Sequence, residues 1–327
     1  MASFRQRGNR WQARVRHQGH PDEVKSFATR QDAQRWARSV EVEIDRGSFI
    51  NTSEAQKYTF ADLIERYLLE VLKGHKHEKL HAFRFRAMAR NSIGRVNMAV
   101  FNAPVVAKYR DERLQAVSVG AVIRELACIS LVINLARKEW GISMTNPVQL
   151  VRKPTAPKGR ERLASDAEMA RLLAALEPKG KRNVWMMPLV LFALETAMRR
   201  GELLALKWEN IDLVQCTATL LETKNGQTRV VPLSTQAIKV LIEVPRSIDA
   251  RVFPIRACAV SKAWDVAIER AQIPDFHFHD LRHMAITQMA QKLPNIIELS
   301  AVSGHKSLSM LKRYYHPKAT DLAKKLG

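Results

Sequence analysis

His279-Asp280-Leu281-Arg282 is the stretch on which the reading of this chain turns. On a helix, His279 and Arg282 stand three apart and share one face. A permanently charged guanidinium and an imidazole aimed the same way make a place for a phosphate oxygen. In isolation, a His and an Arg at this spacing usually mark no more than a solvated basic face, so the weight falls on what surrounds them. Upstream lies Met198-Arg199-Arg200-Gly201-Glu202, followed by Thr223-Lys224-Asn225-Gly226. Downstream come Gly304-His305 and then Arg313-Tyr314-Tyr315-His316.

A chain of 327 residues has room for two or three domains with real cores. Lys and Arg number 53 against 32 Asp and Glu, a net charge of +21 that points to a polyanionic partner, nucleic acid before membrane. A membrane partner would need an anchor. The longest apolar run, 184–194, contains Pro188 and falls well short of the roughly 20 residues of a span. Arg5, Arg7 and Arg10 have no apolar stretch behind them, which does not fit a secretory signal. Cys128, Cys216 and Cys258 are too scattered for a metal knuckle or a disulfide framework, so a reducing cytoplasm is the expected location.

Residues 10–16 alternate, with Trp11, Ala13 and Val15 on one side and Arg10, Gln12, Arg14 and Arg16 on the other, as in a strand. Gly19-His20-Pro21 turns the chain, and 24–27 returns as a second strand. Thr29 and Asp32 then open a helix whose stripe is Ala33, Trp36, Ala37, Val40 and Ile44. This ββα unit, residues 1–50, presents a basic sheet face suited to DNA phosphates. A helical domain follows over 58–150. Helices are expected from Thr59, over 82–90, over 103–114 and over 118–140. His75, His77 and His81 lie among Lys73, Lys76 and Lys79, which repel a metal ion, so no metal site is assigned.

Residues 151–164 read as an extended cationic linker, with Arg152, Lys153, Lys158 and Arg160 placed to follow a phosphate backbone. From Ser165 to the end the pattern is a third domain, 165–327. Ser165 and Glu168 box the start of a helix, and 184–194 is apolar all round, as a buried helix is. Segments 218–222 and 228–231 flank Asn225-Gly226, a strong hairpin signal that sets Lys224 beside the turn. Helices are expected over 261–271, 279–292, 296–303 and 307–315. The fold class is mainly α with small β-sheets.

These residues make chemical sense around a DNA phosphodiester. Attack at phosphorus builds charge on the non-bridging oxygens, which two guanidiniums, Arg199 and Arg282, can clamp. A tyrosine can form a covalent phosphoester, given help with its proton. A lysine on a projecting hairpin can protonate the leaving 5′-oxygen, and His279 and His305 can bind the phosphate or handle protons. No cluster of acids suggests metal-assisted hydrolysis. No Gly-rich nucleotide loop suggests ATP.

The order arginine, lysine, His-x-x-Arg, histidine, tyrosine resembles the tyrosine recombinase, or phage-integrase, family, most strongly over 165–317. In motif detail, 193–199 and Ser303-Gly304-His305 look most like shufflon-type DNA invertases and prophage integrases. The resemblance implies an arm-type DNA-binding unit, a core-binding domain and a catalytic domain, the last two enclosing DNA. Its catalytic set maps onto Arg199, Lys224, His279, Arg282, His305 and Tyr314. The nine-residue step from His305 selects Tyr314 over Tyr315 as nucleophile. Ala197 stands where glycine is usual, Ser303 where leucine is common and Met284 where threonine is common. None of these departures removes a catalytic group.

The activity implied is site-specific recombination of double-stranded DNA through a 3′-phosphotyrosine and a Holliday junction. It would be carried out by a homotetramer, with accessory DNA-bending or directionality factors as further partners, and without cofactor, metal or membrane. A type IB topoisomerase, or a non-catalytic DNA-binding regulator on the same fold, are the alternatives. The intact residue set argues against the regulator.

Overall fold

The computed structural model describes residues 2–17, 22–46, 54–75, 77–157, 159–178, 184–221, 228–315, 320 and 323. The chain divides into two compact units, Met1–Lys158 and Gly159–Gly327.

The first unit begins with an antiparallel sheet of β1 (Ala2–Arg7), β2 (Arg10–Val15) and β3 (Glu23–Phe27), in that order. Helix α1 (Arg30–Asp45) follows, and the Thr29 hydroxyl accepts from the Asp32 N–H to cap it. Ala13 and Val15 are buried on the inner face of the sheet, and Val15 clusters with Ala37, Val40 and Ile44. The strand β1 was not expected, because Phe4 is its only large apolar residue and no alternation shows. It matters to the charge pattern. Arg7 pairs with Arg10, Arg5 with Gln12 and Ser3 with Arg14, and cross-strand partners share a face. Arg5, Arg7, Arg10 and Arg14 therefore line one outer face.

Helices α2 (Phe60–Glu70), α3 (Glu78–Arg90), α4 (Ala103–Ala116) and α5 (Val119–Glu139) build a separate core. Thr59 and Asp62 form a full capping box at α2, and Ser118 caps α5. At 21 residues α5 is long and apolar enough to cross a bilayer. Here Val122, Leu126, Ile129, Val132, Ile133 and Ala136 of α5 are fully buried among the other helices, so it is the spine of this core. Val151, at the start of the expected linker, is buried in the same core.

The second unit contains α6 (Asp166–Leu176), α7 (Met186–Thr196), α8 (Arg200–Ala205), the strands β4 (Ile211–Asp212), β5 (Thr217–Leu220) and β6 (Arg229–Pro232), then α9 (Thr235–Glu243), α10 (Ala257–Ala271), α11 (Asp280–Lys292) and α12 (Ile296–Ser303). The three strands make an antiparallel sheet in sequence order. Helix α7 is central, with Leu189, Val190 and Phe192 fully buried and the Phe192 ring 5.6 Å from Phe253. Each such side chain removed from water contributes roughly 1.5–3 kcal/mol. Ala164, at the other end of the expected linker, joins this core. Helices α8 and α9, at six and nine residues, are too short to leave a periodic signal that sequence alone would register.

Candidate active site

Helix α7 ends in a turn. Ala197 adopts φ 52°, ψ 20°, a left-handed C-cap in which glycine is the favoured residue and a Cβ is a penalty. The turn delivers Arg199 to the start of α8. The Arg199 N–H donates to Glu202 Oε2 at 2.9 Å, and its guanidinium donates to Oε1 at 2.7 Å. Glu202 is buried, and its Oε2 also accepts from Arg229 Nη2 at 2.9 Å. Arg229 Nη1 donates to the Val302 carbonyl at 2.8 Å. One carboxylate thus orients two guanidiniums, as a buried charge requires. Burial pushes the Arg229 pKa down, while Glu202 pulls the other way.

The loop entering α11 is pinned from two sides. Trp264 Nε1 donates to the Phe276 carbonyl at 3.1 Å, with its ring edge-on to Phe278. Arg160 donates to Asp275 Oδ1 at 2.8 Å and to Asp280 Oδ2 at 2.9 Å, and the His277 N–H donates to the same Asp280 oxygen at 2.8 Å. Burial alone would raise the Asp280 pKa; the Arg160 guanidinium outweighs it and holds the carboxyl below its usual range. His279 therefore sits at the N-cap, one position before the helix, and Arg282 lies in the first turn. Arg282 is 4% exposed, and its two Nη atoms donate to the Ala197 carbonyl and, at 2.6 Å, to the Ser303 carbonyl. Burial, aided by the Arg199 charge, lowers its pKa to about 10, so it remains a cation at neutral pH.

Helix α12 ends at a second left-handed turn, Gly304 with φ 67°, whose carbonyl accepts from Arg199 Nη2 at 3.3 Å. His305 Nδ1 shares a hydrogen bond of 2.8 Å with the fully buried Ser303 hydroxyl, and the His305 carbonyl accepts from Ser300 Oγ at 2.7 Å. Burial and the charges of Arg282, Arg199 and Arg229 push the His305 pKa down to about 4.

Residues 307–315 do not form the single helix expected of them. They form two 3₁₀ turns, Leu308–Met310 and Lys312–Tyr314. Leu308, Leu311 and Tyr314 recur every three residues, the repeat of a 3₁₀ helix, and Leu311 alone of them is fully buried. Tyr314 ends the second turn half-buried, its hydroxyl hydrogen-bonded to His283 Nδ1 and its ring stacked on that imidazole. Burial raises its pKa, and Arg313 and Arg282 oppose the rise. Tyr315 turns away, its hydroxyl donating to the Leu293 carbonyl. The two tyrosines thus diverge at the end of a 3₁₀ turn, with Tyr315 in extended backbone, and do not lie on a common α-helix.

The structure brings Arg199, Arg282, His305 and Tyr314 together, with His279 joined through the edge-to-face contact of its ring with His283. Lys224 lies outside the described residues, as does Lys158. Arg10 is exposed on the outer sheet face, whereas Arg14 and Arg16 share the carboxylate of Asp22, at 3.0 and 3.1 Å from their Nε atoms. Arg152 and Lys153 are exposed. Arg160 departs from expectation. Its guanidinium is engaged by Asp275 and Asp280, partners that its reading as a free linker charge does not include, and it braces the α11 entry. Sequence reasoning missed Glu202, Arg229 and His283. Glu202 closes the motif that carries Arg199, His283 directly follows Arg282, and Arg229 is the first residue of β6. Among the described residues, no group of three or more His, Cys, Asp or Glu is placed to hold a metal ion.

Known proteins place this arrangement. Over 94% of this chain and 93% of the other, the fold matches a lambda integrase tetramer bound to a Holliday junction, with a TM-score of 0.67 at 19% identity. It also matches the Tn1549 transposon integrase in complex with circular intermediate DNA, at a TM-score of 0.65 and 15% identity, over 83% of this chain and 99% of that one. The fold is therefore that of the DNA integrases. Residues 162–321 match the phage integrase family. The chain is 41% identical to a shufflon-specific DNA recombinase of Escherichia coli over 83% of its own length and 72% of the relative's. A putative integrase/recombinase of Haemophilus influenzae is 31% identical over 99% of this chain and 88% of that one. The chain belongs to the phage integrase family, the tyrosine-type site-specific DNA recombinases.

Proposed function

We propose that this protein cleaves and rejoins double-stranded DNA at specific sites through a 3′-phosphotyrosine on Tyr314, passing through a Holliday junction within a homotetramer. The observation that carries the reading is the placement of the Tyr314 hydroxyl, held by His283 within the field of Arg282, whose guanidinium is fixed by two main-chain carbonyls. Arg199 and Arg282 stabilise the charge that builds on the non-bridging oxygens. Glu202 pairs with Arg199 and Arg229, and among the described residues Arg282 has no carboxylate partner, which leaves the excess positive charge a phosphodiester would neutralise. His279 and His305 bind the phosphate, and Lys224 protonates the departing 5′-oxygen. The exposed Arg5, Arg7 and Arg10 serve a second, outlying contact with DNA, and Arg152, Lys153 and Lys158 follow the backbone between domains.

The test is covalent trapping. A randomised pool of nicked suicide duplexes is incubated with the protein, and the DNA that survives denaturation on it is sequenced and its attachment residue mapped. Attachment to Tyr314, abolished by Tyr314→Phe with binding retained, is the expected result. Attachment to Tyr315, or none at all, would overturn the reading. Lys224→Ala should slow cleavage, and a 5′-bridging phosphorothiolate, whose leaving group needs little protonation, should restore it.

A further inference from the structure

The contact between His283 and Tyr314 is left unexplained by phosphate binding and leaving-group protonation. His283 follows Arg282 in α11, half-buried, with its Nδ1 on the Tyr314 hydroxyl and the two rings 6.0 Å apart at 25°. His279 packs edge-on against the same ring, 5.2 Å away. The Thr287 hydroxyl donates to the His283 carbonyl at 2.9 Å, which ties the helix backbone at this point. Resting on the reading of Tyr314 as nucleophile, we infer that His283 is the general base that takes the phenolic proton as Tyr314 attacks.

The balance is simple. The Tyr314 O–H bond breaks, and the proton passes to His283 Nδ1. The phenolic oxygen bonds to phosphorus, and the P–O5′ bond breaks. The 5′-oxygen leaves with a proton from a separate acid, Lys224. In the return step the 5′-hydroxyl gives its proton back to Lys224 and bonds to phosphorus, the bond from phosphorus to the Tyr314 oxygen breaks, and that oxygen recovers its proton from His283. A base must lie within hydrogen-bond reach of the proton it takes, and His283 meets that condition before DNA arrives.

The surroundings make the base answer to the substrate. His283 faces Asp280, His279 and Arg282 on its own helix and N-cap, Arg313 and Tyr314 from the terminal turn, and His305 beyond the end of α12. Burial, His279, Arg313 and Arg282 all hold it neutral, and Asp280 opposes them. A neutral imidazole can accept a proton but gains little from doing so while those cations are uncompensated. A phosphodiester docked on Arg282 cancels part of that repulsion, so His283 becomes a stronger base once substrate is bound.

The experiment measures single-turnover covalent trapping on the suicide duplex recovered from the pool. His283→Ala and His283→Asn should both bind this duplex like the parent protein and form the covalent complex about a hundredfold more slowly, the scale of a lost general base. Free imidazoles should restore His283→Ala, with a rate that climbs with the pKa of the imidazole added. A 5′-bridging phosphorothiolate should restore neither variant, since it relieves only the acid. Trapping at the parental rate, rescue by the phosphorothiolate, rescue indifferent to imidazole pKa, or loss of DNA binding in both variants would overturn the inference. If the unmodified protein traps no DNA on Tyr314, the reading beneath it fails instead.

Discussion

Arg282 donates to the carbonyl oxygen of Ala197, the residue whose left-handed turn delivers Arg199. The backbone that sets one arginine therefore receives the other. Arg282 also reaches the Ser303 carbonyl and so bridges the ends of α7 and α12, while Arg199, from the start of α8, reaches the Gly304 carbonyl at the end of α12. The separation of the two charges is fixed by helix termini rather than by flexible side chains.

Glu202 is the carboxylate set between Arg199 and Arg229. Glu202→Gln leaves these guanidiniums without their counter-ion, and breaking a buried pair in this way costs about 3–5 kcal/mol. Urea unfolding should show a loss on that scale. Added sulfate or phosphate should recover part of it, because the anion takes the place of the missing charge. A variant as stable as the parent, and indifferent to phosphate, would count against an anion site here.

Gly304 combines φ 67° with crowding: a Cβ there would lie 2.3 Å from Arg229 Nη1 and 2.8 Å from its Cζ. Arg229 is bound to Glu202 and Val302 and cannot yield cheaply. Gly304→Ala should therefore destabilise the fold by about 1–2 kcal/mol from the left-handed backbone alone, and more from the displaced arginine. Cleavage should fall with it. A melting temperature equal to that of the parent would show that Arg229 relocates freely.

His305 gives a pH signature. Its pKa is about 4 in the folded chain, against about 6.5 when unfolded. As pH falls the unfolded chain takes up the proton first, so the stability is fully present above about 6.5 and is lost on the way to about 4. Urea midpoints compared for the parent and His305→Asn between pH 7 and pH 5 should converge as pH falls, and a constant difference would contradict the depressed pKa. DNA binding should reverse the shift, since a phosphate offsets Arg282, Arg199 and Arg229. Calorimetry at pH 6 in buffers of differing ionisation enthalpy should then register proton uptake.

Tyr315 separates packing from chemistry. Its hydroxyl donates to the Leu293 carbonyl at the C-terminal end of α11. Tyr315→Phe should cost about 0.5–1.5 kcal/mol, the net worth of one hydrogen bond, and should still form the covalent DNA complex. Denaturation and trapping of the same preparation measure both. Loss of the complex without loss of stability would assign Tyr315 to the chemistry.

Features governed by near neighbours along the chain are legible in the residues themselves. Thr29, Thr59, Ser118 and Ser165 each accept from a backbone N–H three residues on, as their spacing implies. The apolar run of α7 is legible because burial on all sides leaves no polar stripe. The Glu202–Arg229–Val302 chain is not, because its links span 27 and 73 residues and depend on the sheet meeting α12. Arg160 reads as free charge for the same reason: its partner Asp280 is 120 residues away. The difference over 307–315 has a local origin. Apolar residues three apart fit an α-helix and a 3₁₀ turn alike, and burial of Leu311 alone gives no face long enough to sustain the former.

The left-handed turns at Ala197 and Gly304 have a consequence for how this site tolerates sequence change. What the arginines recognise at 197, 303 and 304 is main-chain oxygen, which every residue type carries. Alanine can stand at 197 and serine at 303 without altering what is offered to a guanidinium. At 197 and 304 a substitution is thus filtered by backbone shape and room, whereas at 303 the serine hydroxyl also holds His305 Nδ1. A residue exchanged at such a turn leaves the electrostatic frame in place as long as the turn itself is kept, because the frame is written in main-chain oxygens.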